Sequence, residues 1–177
     1  MATNEDAIAL LKADHRKVEE LFEKFEDAKG ESRKRTLVEQ ICLELLVHTQ
    51  IEEEIFYPAC QDKIEEADTL EEAYVEHDSA KVLIAELMGS KPDADFYDAK
   101  VKVLSEMIKH HVKEEEKRSE GLFAQARDAG IDMDEIAGRL KARKQELLKQ
   151  FKSGGLPVPQ TRSYSGHKLV QGAPAHV

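Results

Sequence analysis

Four stretches of this chain keep the three-and-four spacing of a buried helix side, and each is interrupted by residues foreign to a core. The first runs Ile8, Leu11, His15, Val18, Phe22, Phe25, and the second Leu37, Ile41, Leu45, His48, Glu52, Ile55. The third runs Leu70, Tyr74, His77, Lys81, Ile84, Met88, and the fourth Val101, Leu104, Ile108, His111, Glu115, Leu122. Apolar residues at this spacing make one face of an amphipathic helix. Four such faces cover one another in an all-α, up-down-up-down four-helix bundle. Imidazoles and carboxylates left unpaired inside it would cost several kcal/mol. A metal compensates for all of them at once.

The loop positions allow the interruptions to meet at one depth. His15 lies fifteen residues before Gly30 and His48 eighteen after it. His48 and Glu52 precede the turn near Asp62 by about as many residues as His77 follows it, and His77 and His111 flank the Gly89–Pro92 turn within about two helical turns of level. His48/Glu52 and His111/Glu115 are i, i+4 pairs, so each pair shares a helix face. Imidazole with carboxylate suits iron, manganese or zinc. Six ligands are too many for one tetrahedral zinc and suit two metals, each with two histidines, sharing two bridging carboxylates. Open positions would remain for a small diatomic ligand. His110, beside the stripe, points sideways.

The 177 residues fit one domain with a full core. A helical domain is expected over residues 1–152, with a fifth helix carrying Ile136, Leu140, Leu147 and Phe151 on one side. Residues 153–177 are rich in Gly, Pro and Ser and read as an unstructured tail or an arm, with His167 and His176 incidental to it. The formal net charge of −10 argues against a nucleic-acid partner. Arg139, Lys141, Arg143 and Lys144 read as a solvated helix face. No apolar run reaches the roughly 18 residues of a membrane span, and no secretory signal opens the chain. Cys42 and Cys60 match neither a disulfide framework nor a metal pair, which points to the cytoplasm and reduced thiols.

Local signals place the ends. Asn4 is expected to cap the first helix, which runs to about Ala28, and Ser32 the second, which Pro58 ends or kinks. Asp68 or Thr69 with Glu71 or Glu72 makes a capping box for the third, and Gly89 suits a left-handed stop. The fourth is expected from about Ala94 to Gly121 or slightly beyond, and Asp132 with Glu135 opens the fifth.

The ligand candidates lie in the strings DHRKVEELFEKFE, HTQIEEEIFYPAC, EHDSAKVLIAEL and HHVKEEE. Over about residues 5 to 150 the chain resembles the hemerythrin-like, or HHE cation-binding, family. The resemblance implies a non-haem di-iron centre, two iron ions joined by oxo or hydroxo and carboxylate bridges, that binds oxygen or handles related small oxidants. It matches His15, His48, His77 and His111 to histidine ligands and Glu52 and Glu115 to the bridges, with Glu116 the alternative to Glu115. Oxygen-carrying hemerythrins have a second histidine four residues before the one matched by His77; here that residue is Ala73, and protonated Lys81 cannot replace it. Water, Tyr74 or another oxygen donor would fill the position. A metal- and oxygen-binding protein is expected more than a dedicated enzyme. Peroxide or nitric oxide chemistry and iron or redox sensing are the alternatives.

Overall fold

The computed structural model describes residues 6–166, 169, 170 and 172, and among them every regular element is a helix. α1 (Ala7–Glu26) and α2 (Glu31–Ile51) are followed by a π turn (Glu52–Phe56) and the short α3 (Tyr57–Cys60). Then come α4 (Ala67–Met88), α5 (Tyr97–Glu116), α6 (Leu122–Asp128) and α7 (Met133–Gly154). α1 packs on α2 and α5, and α4 packs on the same two, which closes the four-helix bundle. α7 lies outside it against α1, α2 and the π turn. Its Ile136, Leu140, Leu147 and Phe151 are buried, as their spacing predicts. The four stripes form the core, interrupting residues included; half-buried Tyr74 and Met88, 37% exposed, are the exceptions.

Several ends differ from expectation. Asn4 lies outside the described residues, and Asp6 caps α1 by accepting the Ala9 N–H at 2.8 Å. Gly30, at φ 84°, leads directly into α2, so Ser32 falls inside the first turn and caps nothing. α4 starts after Glu66 without a side-chain cap, and Gly89 is right-handed at φ −85°. Asp132 caps α7 as expected, accepting from the N–H groups of Asp134 and Glu135. Cys42 and Cys60 are free and buried, and burial pushes both thiols up to about 12.

Pro58 does not end the second helix. The chain widens just before it, so that the Tyr57 N–H reaches back five residues to the Glu52 carbonyl, and the helix then continues through Cys60. Proline lacks an N–H and its ring crowds the carbonyl four residues earlier. A π turn at this point takes up that crowding, and such turns recur at functional sites.

The fourth helix stops at Glu116, earlier than expected, because Lys117 turns extended at ψ 135°. Gly121 folds back against this break. A Cβ there would lie 2.5 Å from the Glu115 carbonyl oxygen and 2.6 Å from the Lys117 nitrogen, both backbone atoms. At φ −69° the backbone is ordinary, so the constraint is space alone. Gly121→Ala is expected to destabilise the fold by about 1–3 kcal/mol, the usual cost of overpacking. It would also displace the residue carrying a core carboxylate, so denaturant midpoint and metal content should fall together.

Candidate metal centre

At mid-bundle, four imidazoles turn their Nε2 atoms toward one another. His15 on α1 and His48 on α2 bring theirs to 3.1 Å, and His77 on α4 and His111 on α5 do the same. Two carboxylates join the pairs. Glu52 Oε2 is 3.2 Å from His48 Nε2 and 3.3 Å from His77 Nε2, while Glu115 Oε2 is 3.4 Å from His15 Nε2 and 3.6 Å from His111 Nε2. All six side chains are buried. His15, His48, Glu52 and Glu115 bring ligand atoms within 4.8 Å of one another, and so do Glu52, His77 and His111, with Glu52 common to both groups.

The opposite ring nitrogens face an outer circle of acids. His15 Nδ1 donates to Glu116 Oε1 at 2.7 Å, His111 Nδ1 to Glu76 Oε2 at 2.7 Å, and His77 Nδ1 to Glu53 Oε1 at 3.1 Å. His48 Nδ1 looks toward Asp14 Oδ2 at 3.6 Å, beyond hydrogen-bond length. Each acid sits next in sequence to a core residue of its own segment and serves the histidine of the next. Asp14 on α1 faces His48 on α2, Glu53 of the π turn holds His77, Glu76 on α4 holds His111, and Glu116 on α5 closes the circle on His15. A carboxylate accepts only, so it fixes the proton on Nδ1 and turns the Nε2 lone pair inward.

That arrangement suits cations. In a neutral imidazole held this way Nε2 is a bare acceptor, and two bare acceptors at 3.1 Å repel unless positive charge lies between them. Glu52 Oε1 and Glu115 Oε2 have no hydrogen-bond partner among the described residues. Without metal, protons take up part of the charge. Burial works against a charged His15, yet Glu115 and Glu116 push its pKa up to about 9. Burial pushes His77 well below its ordinary value, with His111 adding to the effect. Burial, then the charge of Glu115, holds Glu52 well above the carboxylate range. Glu115 is drawn down to about 2 against its burial, first by His111 and then by His15.

The family whose model matches residues 6–126 is the hemerythrin HHE cation binding domain. This chain belongs to that family. A crystal structure of a hemerythrin HHE cation binding domain-containing protein from Mycobacterium kansasii superposes with a TM-score of 0.68 over 85% of this chain and 94% of that one. At 20% identity, that likeness speaks for the fold alone. A DNA nickase of Nostoc sp. is 28% identical over 144 residues, 80% of this chain but 40% of that protein, so the chain spans less than half of that relative.

Within this HHE domain, Tyr57, rather than the Tyr74 that the sequence offered, brings a hydroxyl among the candidate ligands. Its hydroxyl is 2.9 Å from Glu115 Oε1, 3.1 Å from His77 Nε2 and 3.4 Å from Glu52 Oε2. Tyr74 stands outside this group, ring against ring at 5.2 Å. Burial, then Glu115, raises the Tyr57 pKa well above the phenol range. The side chain of His110 is 60% exposed and lies 3.4 Å from Glu76, outside the core group. Glu116 faces the outer side of His15, while its neighbour Glu115 is the one in the core. The basic residues of α7 are not all solvated: Arg143 pairs with Glu54 at 2.6 Å, and Lys144 pairs with buried Asp14.

Proposed function

We propose that this HHE protein holds two iron ions, one at His15 and His48 and one at His77 and His111, with Glu52 and Glu115 bridging, and that O2 or a related small oxidant reacts there. The supporting observation is the pairing of inward lone pairs around two carboxylates that each touch one histidine of either pair. Two metals of a redox-active kind, when bound, supply a pair of electrons to a diatomic ligand and an open position for it.

The chain's own residues set the conditions for that chemistry. Glu116, Glu53 and Glu76 orient His15, His77 and His111 and keep their protons on Nδ1. Tyr57 brings a hydroxyl among Glu52, Glu115 and His77, where it either donates a proton or, once deprotonated, offers an oxygen ligand. Phe123 stacks on His15 with ring centroids 5.8 Å apart, and Phe56 closes on Phe123 edge-on at 5.6 Å. A cavity of about 10 Å³ touches all four histidines and is otherwise walled mainly by Val18, Leu45, Ile108 and Val112. That is room for about one water-sized molecule. The size suits a diatomic or peroxide.

Tyr57 also favours a second role within this chemistry. A phenol in place of a histidine offers a proton and an anionic oxygen where an oxygen carrier has a neutral nitrogen, which favours consumption of an oxidant over its reversible carriage. DNA nicking is not carried over from the Nostoc relative, since a formal net charge of −10 is poorly suited to a phosphate backbone. The test is metal content with the visible spectrum, recorded anaerobically after reduction and again in air. Two irons per chain and charge-transfer bands that appear in air are expected. Bands that disappear when oxygen is removed would shift the function to carriage, and one zinc or no metal would end the proposal.

A further inference from the structure

Three of the acids that face Nδ1 atoms, Asp14, Glu53 and Glu116, are themselves met by Lys or Arg, and for Asp14 and Glu53 such a partner comes from beyond the family's matched span of residues 6–126. Lys144 on α7 pairs with Asp14 Oδ1, and the other oxygen of Asp14 stops 3.6 Å short of His48 Nδ1. His48 Nδ1 is left without a hydrogen-bond partner among the described residues. Arg162, on the arm that follows α7, places Nε 3.2 Å from Glu53 Oε2, while Glu53 Oε1 holds His77 Nδ1. The arm is fastened beside the centre: Asp78, 1% exposed, accepts from the N–H groups of Arg162 and Ser163 and from the Ser163 hydroxyl at 2.6–2.7 Å. Tyr164 meets Ser79 through their hydroxyls.

We propose that the C-terminal extension tunes the metal centre, with Lys144 acting through Asp14 on His48 and Arg162 acting through Glu53 on His77. The inference rests on the two-metal reading, because the two cations reach one histidine of each pair. A carboxylate that accepts an Nδ1 proton makes Nε2 a stronger donor to metal. A cation on the far side of the carboxylate draws its charge away and weakens that push. Lys144 takes one oxygen of Asp14, while the other lies 3.6 Å from His48 Nδ1. Glu53 and Glu116 also take cations from inside the bundle, Lys81 Nζ lying 2.6 Å from Glu53 Oε1. Arg16 donates to Glu116 at 2.7 Å, and His110 lies 3.4 Å from Glu76. Lys144 and Arg162 are positioning residues, and the extension sets the donor strength of His48 and His77 without touching metal.

Charge and packing predict opposite signs. If the cations tune, Lys144→Gln and Arg162→Gln tighten metal binding, because Asp14 loses Lys144 and Glu53, left with Lys81 alone, loses part of its positive charge, and both then strengthen their histidines. If they only brace the fold, the same changes loosen it. Full-length metal-free protein would be titrated with Co(II) against a competing chelator, with the Co(II) absorption bands recorded. Two Co(II) per chain are expected for the unaltered protein. Each glutamine variant should hold its more sensitive Co(II) about threefold to tenfold more tightly, below the 10–100-fold typical of losing a histidine's direct partner. The bands should shift with the affinity, and Lys144→Arg and Arg162→Lys should retain the original values. Unchanged constants, or weaker binding that the charge-conserving variants share, would overturn the inference. Fewer than two Co(II) in the unaltered protein would overturn the two-metal reading beneath it.

Discussion

Glu52→Gln is expected to cost the protein at least one metal ion while leaving the metal-free fold as stable as before, or more so. Glu52 is fully buried and is common to both groups of candidate ligands. Glutamine keeps its shape but not its negative charge, and an amide cannot bridge two cations. Affinity should therefore fall by at least about 100-fold, the upper end of what losing only an outer partner costs. The metal-free protein responds differently. Burial and Glu115 already favour the protonated, neutral form of Glu52, so a neutral isostere removes a group that is costly to ionise there. Metal content by elemental analysis and a urea midpoint on stripped protein measure the two effects separately. His110→Ala is the control: its side chain is 60% exposed and outside the centre, so metal content should remain nearly intact. Equal losses from both variants would mean that the inner face of α5 has been misassigned.

The inner ligand candidates were legible in sequence because each lies on a 3.6-residue stripe whose other members are apolar. His15, His48, Glu52, His77, His111 and Glu115 come together as that period requires. The outer acids were not legible in the same way. Asp14, Glu53, Glu76 and Glu116 sit one residue off the stripes and act across helix interfaces, which a single-helix period cannot see. A signal was present, since each adjoins a core histidine or glutamate in sequence, but acids crowd much of this chain. Tyr57 was hidden by geometry. In a regular helix a residue five positions after Glu52 lies about 140° around the axis. The π turn reduces that rotation and brings the Tyr57 hydroxyl to 3.4 Å from Glu52. The arm was hidden by composition: Gly, Pro and Ser signal the absence of regular structure, and nothing in them foretells that Asp78 fastens Arg162 and Ser163.

Stripping the metal should lower thermal stability, and the loss should grow as pH rises. A ligand that binds only the folded state at about 1,000 times its dissociation constant adds about 4 kcal/mol. For a chain of this size each kcal/mol moves the midpoint by about 2–4 °C, so chelation should lower it by roughly 10 °C near neutral pH. The pH trend follows from His15. Its pKa in the metal-free fold is raised from 6.5 to about 9, despite burial, by Glu115 and Glu116. A raised pKa contributes stability that is complete below the unfolded value and is lost as pH climbs through the folded one. Glu52, also raised, acts in the same direction. Metal-free protein should therefore weaken between about pH 6.5 and about pH 9. Over the same interval metal binds more tightly, because fewer protons have to be displaced from the imidazoles and from Glu52. The midpoints of loaded and stripped protein should diverge from pH 6.5 to pH 9, with proton release accompanying metal uptake. Midpoints that stay parallel across that range would mean that protons and metal do not compete for His15.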